Sequence, residues 1–475
     1  MKVVLLNPPE MIAGEEGGTG FGARSFVKQL RVLPPLGLAY IAAVLKAASH
    51  EVKLIDANAL RIGPEEIVRR VDTFSPDVVG ITCVTPLFPV AVQICRSLKN
   101  LSPRPQIVVG GPQVTIMPEL TMEKSAFDFG VAGEAEIAMP RLIDTLSGGG
   151  TPDGIGGLIF RDGDEVVRAG SAEVMPINEI PFPLREILPN DRYFDLTTEA
   201  RRVSSIMTAR GCPYQCSFCE RYIRGGHYRA RNADNVVSEL EELVTRYGCT
   251  EVVIYDDTFT ASKKRAAEIC EKILERGLKF RWDCRTRVDC VDPGLLRLMA
   301  RAGCSRISYG VESAAADVLD LFDKKITLEQ VEETFEWTRS AGIKILAYFM
   351  LGAPEETRES IEKTLALSMK LDPDFAYYSV VVPYPGTDLY DNALRKELLH
   401  LDYWKDFVKN EGDLKEPIPM FEHNDVTREY LVSTLRSAYL RFYLRPRYIL
   451  KRCRSIKSLS DFIWHLKMAK VTVMT

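Results

Sequence analysis

The stretch Ala209-Arg210-Gly211-Cys212-Pro213-Tyr214-Gln215-Cys216-Ser217-Phe218-Cys219-Glu220 decides how this chain is read. Its cysteines are spaced Cys212-x-x-x-Cys216-x-x-Cys219. Three thiolates on one short loop can hold three irons of a four-iron cluster and leave the fourth without a protein ligand, open to a small molecule. Structural zinc usually gathers four protein ligands, commonly as two separated Cys or His pairs, and no second pair stands at that spacing on either side. The other alternative is three unligated core thiols. It must accept them on a loop that carries Gly211 and Pro213 and is flanked by Arg210 and Arg221.

Working outward, a strand over 204–208 leads directly into the loop and opens a βα alternation that runs from 202 to 393. Further strands are expected at 251–255, 280–284, 306–311, 344–351 and 375–382, with helices between them. Six parallel strands with outer helices suit a partial (β/α)6 barrel, whose active site belongs at the carboxyl ends of the strands. Upstream, residues 1–146 alternate short apolar strands (3–6, 51–55, 78–82, 106–109, 129–131) with amphipathic helices. That pattern implies a doubly wound, Rossmann-like parallel sheet that takes ligands outside its strands' carboxyl ends. No Gly-x-Gly-x-x-Gly follows the first strand, which argues against a dinucleotide domain. Residues 147–201 read as a linker containing a hairpin around Asp162-Gly163, and 394–475 as a helical tail. In that tail Arg436, Arg441, Arg445, Arg447, Lys451, Arg452, Arg454 and Lys457 accumulate among aromatic residues. Two readings are open: a peripheral contact with an anionic membrane or an anionic substrate, or a helix packed on the barrel with its cations solvated.

The 475 residues, 46% hydrophobic and 27% charged with a formal net charge of -4, describe an ordinary globular chain of several domains, with nothing that points to nucleic acid. Prolines 8 and 9 interrupt the first apolar run too early for a signal peptide, and no run approaches the roughly 18 residues of a spanning helix. A cytoplasmic location is expected. Eleven cysteines without a regular disulfide framework suit a reducing compartment and a thiolate-held cofactor.

The cysteine spacing, with Phe218 before the last thiol, resembles the signature of the radical S-adenosylmethionine superfamily. The resemblance implies a 4Fe-4S cluster on Cys212, Cys216 and Cys219, with S-adenosylmethionine on the open iron and its cleavage to a 5′-deoxyadenosyl radical. Other fragments follow in family order. Phe218 stands where the family packs an aromatic against adenine, and Asp256 and Asp257 stand where it binds the methionyl ammonium. Gly310-Val311-Glu312-Ser313 resembles its Gly-x-Glu element, and 349–357 the segment lining adenine. Arg285 could pair with the S-adenosylmethionine carboxylate or serve a barrel salt bridge. Asp257 could equally cap a helix.

Pro383-Tyr384-Pro385-Gly386-Thr387, together with a sheet domain ahead of the barrel, resembles the cobalamin-binding branch of that superfamily. The branch includes cobalamin-dependent methyltransferases, the anaerobic magnesium-protoporphyrin monomethyl ester oxidative cyclase and hopanoid-modifying enzymes. Its cobalamin domain is matched by Asn7-Pro8-Pro9, Thr82-x-x-Thr85, Gly110-Gly111-Pro112 and Gly133-Glu134-x-Glu136. None of His50, His227, His400, His423 and His465 lies in an Asp-x-His-x-x-Gly context, so cobalamin is expected without a histidine beneath cobalt. The expected function is methylation of an unactivated carbon of a hydrophobic or anionic metabolite, such as a lipid, isoprenoid or tetrapyrrole. An electron donor of flavodoxin or ferredoxin type is implied. Oxidative cyclisation or rearrangement is the alternative, and a non-catalytic cobalamin or S-adenosylmethionine sensor is the reading from another class. Methyl transfer requires the sheet rim to face the barrel mouth.

Overall fold

The computed structural model describes residues 1–10, 31–163, 165–195, 198, 202–220, 227–399, 402–414, 418, 420–423 and 426–455. Its first part runs β1 (Lys2–Asn7), β2 (Arg31–Val32), α1 (Leu36–Ala47), β3 (Glu51–Asp56), α2 (Pro64–Phe74), β4 (Val78–Thr82), α3 (Phe88–Leu98), β5 (Gln106–Gly110), β6 (Phe129–Val131), α4 (Ala138–Ser147), β7 (Leu158–Asp162) and β8 (Glu165–Arg168). The sheet order is β3-β1-β4-β5-β6-β7-β8, parallel through β6. Val3-Val4-Leu5-Leu6 is buried on both faces, Val4 and Leu6 in one core cluster and Val3 and Leu5 in another, which is why the strand reads as an unbroken apolar run. The chain leaves β1 for β3 and returns on the other side to β4. The carboxyl ends of β1 and β4 therefore flank the crevice where such sheets bind ligands.

The hairpin expected in the linker forms, but it extends this sheet. β7 pairs antiparallel with β6, and β8 with β7. Leu158 and Ile159 are fully buried in the process, whereas a free two-stranded hairpin would expose them and be marginal in water.

β9 (Phe194–Asp195) pairs with β2 and leads into the second unit. That unit comprises β10 (Val203–Ile206), β11 (Ala209–Arg210), β12 (Arg229–Ala230), α5 (Ala233–Thr245), β13 (Glu251–Ile254), α6 (Lys263–Glu275), β14 (Arg281–Thr286), α7 (Pro293–Arg301), β15 (Cys304–Glu312), α8 (Leu328–Ser340), β16 (Lys344–Leu351), α9 (Arg358–Leu371) and β17 (Phe375–Val380). β10-β13-β14-β15-β16-β17 form one parallel sheet in chain order, the partial barrel expected from the sequence. On β16 the two-residue period decides the faces: Ile345, Ala347, Phe349 and Leu351 are buried, while Leu346, Tyr348 and Met350 are only partly so.

A partial barrel leaves an edge strand whose backbone needs partners. Helix α10 (Arg428–Tyr443) covers β17, and two tyrosine hydroxyls take the place of a seventh strand. Tyr443 Oη accepts from Ala376 N (3.2 Å) and donates to Ala376 O (2.9 Å); Tyr439 does the same at Tyr378 (3.2 and 2.9 Å). The basic residues of α10 and α11 (Pro446–Ser455) turn largely onto the barrel: Arg441 pairs with Glu362, Arg445 and Arg447 with Asp372, and Lys451 with Asp374. No helix among the described residues is long and apolar enough to cross a membrane. Lys457 lies outside the described residues.

The two units share one continuous core. Val318 and Phe322 of the barrel and Leu389, Tyr403, Trp404 and Phe407 beyond it belong to the same apolar cluster as Val4, Ile81 and Phe88 of the first sheet. Gly386, in the Pro-Tyr-Pro-Gly-Thr run, has φ 81, and a Cβ there would meet Glu220 at 3.1 Å and Ile116 at 3.3 Å. It is a joint where the cysteine loop, the sheet unit and the segment after β17 meet, and only glycine suits both the left-handed backbone and the close approach.

Candidate active site between the two sheets

The cysteine loop is anchored at its root by a buried carboxylate. Asp256, 1% exposed, accepts from Thr208 N (2.6 Å) and Ala209 N (3.1 Å), bonds the Thr208 hydroxyl, and lies 3.6 Å from the Arg265 guanidinium. Burial raises its pKa, with Arg265 and the Thr208 hydrogen bonds opposing. The chain then turns at Gly211 (φ 78), where a Cβ would strike the His227 carbonyl. Farther along, Ser217 N donates to Phe322 O (3.0 Å) and Ser217 O accepts from Leu389 N (2.8 Å), so the loop is held from both sides.

All three loop cysteines are free thiols. Cys212 Sγ is 3.3 Å from Thr258 Oγ1. Buried Cys216 receives a hydrogen bond from Arg287 Nη1 at 3.6 Å. Burial raises the Cys216 thiol, the cations Lys324 and Arg287 pull it down, and Glu312 and Cys212 add to the rise. Cys219 is solvent-exposed, yet surrounding protein desolvates and raises its thiol, with Asp257, Cys216 and Cys212 contributing next. The thiols thus sense one another's charge, but among the described residues no three His, Cys, Asp or Glu side chains converge on a single ion. Thiolates sharing one zinc would stand about 3.8 Å apart, given the usual bond of about 2.3 Å in a tetrahedron. A four-iron cluster instead gives each thiolate its own iron, so its donors need not converge on one point.

Cations surround this loop. Arg287 is fixed by Asp289 (2.9 Å), by Lys324 O (2.6 Å) and by the Tyr214 ring, 4.1 Å away. Lys324 Nζ binds Glu312 Oε1 at 2.8 Å and lies 5.8 Å from the Phe218 ring, which packs edge-on against Phe322. Glu312 reaches Lys324 because the β15–β16 register shifts at Gly310/Glu312 and Glu312 takes φ 67. A Cβ on Gly310 would collide with that carboxylate, so the Gly-x-Glu spacing follows from the bulge.

Facing the barrel is the rim of the first sheet. Asn7 and Thr82, at the ends of β1 and β4, line a cavity of about 980 Å³ whose opposite wall is Tyr255, Arg285, Tyr348 and Tyr377. An adjoining cavity of about 180 Å³ is walled by Gly37, Gly80, Gly110, Gly111, Gly133 and Glu134, together with Met207 and Arg210 of the barrel unit. A Cβ on Gly37 or Gly110 would meet nothing within 4 Å, so any side chain there would occupy open cavity. At Gly111 (φ 94) a Cβ would come within 2.9 Å of Thr82 Oγ1 and 3.0 Å of Cys83 O, so only glycine suits the position. This is a cradle with open space where side chains are omitted at Gly37 and Gly110. No histidine among the described residues lines either cavity, and His400 and His465 lie outside them.

The residues singled out from the sequence divide by environment. Cys212, Cys216, Cys219, Phe218, Asp257 and Glu312 gather around the loop; Asn7, Thr82, Gly110, Gly111, Gly133, Glu134 and Arg285 line the cavities. Three depart from expectation. Asp256 has all of its roughly four lone-pair directions taken by the loop root and Arg265, leaving exposed Asp257 as the acid beside Cys219. Ser313 is buried, bonded to Thr364 Oγ1 (3.1 Å) and Ala315 N (3.1 Å). Thr85 is buried in a short 3-10 turn outside both cavities. Glu134 lines the cradle and also clamps the units, since it pairs with Arg210 (2.8 Å) and Arg229 while Glu136 pairs with Arg210. Arg287 and Lys324 were not found from the sequence. Arg285-Thr286-Arg287, two cations at a strand's carboxyl end, was the available signal for the first. Arg221 lies outside the described residues.

A glycine-walled cradle facing a barrel mouth that carries three grouped thiols defines a two-cofactor enzyme architecture. Comparison with known proteins makes this specific. Residues 28–143 match the B12 binding domain and residues 206–368 the radical SAM superfamily. An uncharacterized methyltransferase of Pyrococcus horikoshii is 34% identical over 456 residues, covering 95% of this chain and 94% of that one. The anaerobic magnesium-protoporphyrin IX monomethyl ester cyclase of Cereibacter sphaeroides is 31% identical over 422 residues, 87% of this chain and 67% of the relative. The solved structure of the radical S-adenosylmethionine methyltransferase TsrM from Kitasatospora setae, with cobalamin and a 4Fe-4S cluster bound, superposes with a TM-score of 0.72 at 19% identity, over 94% of this chain and 89% of that one; the likeness is one of fold. The chain belongs to the B12-binding radical SAM family and is an enzyme, which sets the sensor reading aside. Its cofactors are those of the family, cobalamin and S-adenosylmethionine with an iron–sulfur cluster.

Proposed function

We propose that the chain methylates an unactivated carbon of a small molecule held between the sheet rim and the barrel mouth. Cys212, Cys216 and Cys219 would hold the cluster, and the glycine cradle the cobalamin. When bound, the cluster and S-adenosylmethionine supply a carbon-centred radical and cobalamin supplies a transferable methyl group. The chain's own residues do the placing. Asp257, exposed beside Cys219, suits the methionyl ammonium, and Phe218 offers a ring face to adenine. Glu312, oriented by Lys324, suits ribose or amino-acid donors. Asp256 keeps the loop root fixed, and the Glu134–Arg210 pair ties rim to loop. The observation that carries the reading is the common cavity: Asn7 and Thr82 of one unit and Tyr255, Arg285 and Tyr348 of the other line one space, so a methyl group need not cross open solvent. A low-potential donor of flavodoxin or ferredoxin type would supply the electron.

Anaerobic incubation with S-adenosylmethionine carrying a deuterated methyl group, reductant and the small-molecule fraction of the source cells tests this. The expected product carries the labelled methyl. Oxidative cyclisation, favoured by the 31% identical cyclase relative, would instead release 5′-deoxyadenosine with an unlabelled product.

A further inference from the structure

Among the described residues, the larger cavity holds a guanidinium that no carboxylate pairs with. Arg285 is the fifth residue of β14, and its guanidinium lies 4.5 Å from the Tyr255 ring centroid. Other cations of the barrel unit have carboxylates: Arg265 has Asp256, Arg287 has Asp289, Arg306 has Asp283 and Asp195, and Lys324 has Glu312. Among the described residues no carboxylate lies within ion-pair distance of Arg285. Burial works against its charge, and Tyr255, which also hydrogen-bonds it, and Tyr348 are its polar neighbours; the one carboxylate whose charge it senses, Asp283, is two residues back on the strand and is held by Arg306. Arg31 and Arg61 also line this cavity; Arg31 pairs with Asp195 at 3.9 Å, and Glu10 is the acid among the described walls. Beside Arg285, the rings of Tyr348 and Tyr377 stand edge-to-face at 5.5 Å.

A guanidinium partly withdrawn from water without a counter-charge is unfavourable unless an anion arrives with a ligand. Its planar fork matches carboxylate and phosphate oxygens in pairs, and tyrosine rings present flat apolar area with a polar tip. We propose that Arg285, with Tyr255, Tyr348 and Tyr377, forms the substrate's anchoring subsite, taking a carboxylate or phosphate on a flat, largely apolar body. This rests on the function proposed above and narrows it: a neutral isoprenoid would leave the guanidinium uncompensated. The rival source of the anion is the S-adenosylmethionine carboxylate. Against it, the cations that reach the cysteine loop are Arg287, at Cys216, and Lys324, at Phe218, while Arg285 packs on the Tyr255 ring and lines the cavity that Asn7 and Thr82 of the rim share.

The test measures dissociation constants of 1-naphthyl phosphate, neutral 1-naphthol and S-adenosylmethionine for the reconstituted holoenzyme and its Arg285→Gln and Arg285→Lys variants, matched for iron content and circular dichroism. Naphthyl phosphate is expected to bind at least about tenfold more weakly to R285Q, with partial recovery in R285K, as loss of a charge-assisted pair requires. Naphthol and S-adenosylmethionine affinities should stay within about twofold. Equal naphthyl phosphate binding by wild type and R285Q, no binding by wild type, or a loss confined to S-adenosylmethionine would each overturn the subsite. Release of 5′-deoxyadenosine by the wild type in the same samples reports on the proposed function separately, so the two can fail independently.

Discussion

The sheet rim and the barrel mouth face each other across one cavity but are built by opposite means. The rim is made by absence: Gly37 and Gly110 leave open space, Gly80, Gly111 and Gly133 let their neighbours approach closely, and recognition there is a matter of shape. The mouth is made by presence: thiols, two cations beside Cys216, and carboxylates that fix them. A shape-based site should fail through added volume with little effect on charge. A charge-based site should shift potentials and pH profiles with little effect on volume.

The largest effect is expected from filling the rim. Gly110→Leu adds a side chain where a Cβ meets nothing within 4 Å, so the fold should persist while cobalamin retention falls by at least about tenfold, read from the optical spectrum of the desalted protein. Retention at the wild-type level would break the contrast. In the turn after β16, Glu356 accepts from Gly352 N (2.7 Å) and Ala353 N (3.0 Å), its Oε1 has no partner, and burial pushes its pKa up to about 7 from 4.5. Between those values the folded chain holds a proton that the unfolded chain has lost, so stability declines as pH rises through the window and levels off above about 7. Glu356→Gln should remove that slope, on the order of 3 kcal/mol across the window, in denaturant titrations at about pH 5 and about pH 8.

Smaller still is the effect expected at the edge of the barrel, on the outer side of β17. Tyr443→Phe leaves Ala376 N–H and C=O without their partner and should lower stability by about 1–3 kcal/mol while leaving iron and cobalamin contents unchanged. Arg287→Gln probes the mouth's charge most delicately. Removing a cationic donor from Cys216 should move the cluster's reduction potential negative by roughly tens of millivolts in a spectroelectrochemical titration, with cobalamin binding unaltered.

The same contrast governs what the sequence revealed. Cys212, Cys216 and Cys219 are rare residues at fixed spacing, and the six strands in chain order follow from two-residue and helical periods, so both were legible. The rim was legible only through motif order, because a glycine's meaning depends on what lies opposite it. Asp256 and Asp257 illustrate a further limit: adjacent residues on a strand's end point to opposite sides, and composition does not tell which carboxylate turns inward to the Thr208 backbone. The hairpin around Asp162-Gly163 was recognised, yet its docking on β6 depends on an edge that sequence neighbours do not show. Glu134 was read as a ligand contact alone, while its ion-pair partners Arg210 and Arg229 stand 76 and 95 positions along the chain and meet it only once the units share a core.

The most direct test is iron and sulfide analysis, with 5′-deoxyadenosine release, on anaerobically reconstituted protein and on the variant with Cys212, Cys216 and Cys219 all replaced by alanine. The account requires about four irons per chain and turnover of S-adenosylmethionine in the wild type, and neither in the variant. A triple variant that still carried the cluster or still released 5′-deoxyadenosine would contradict it.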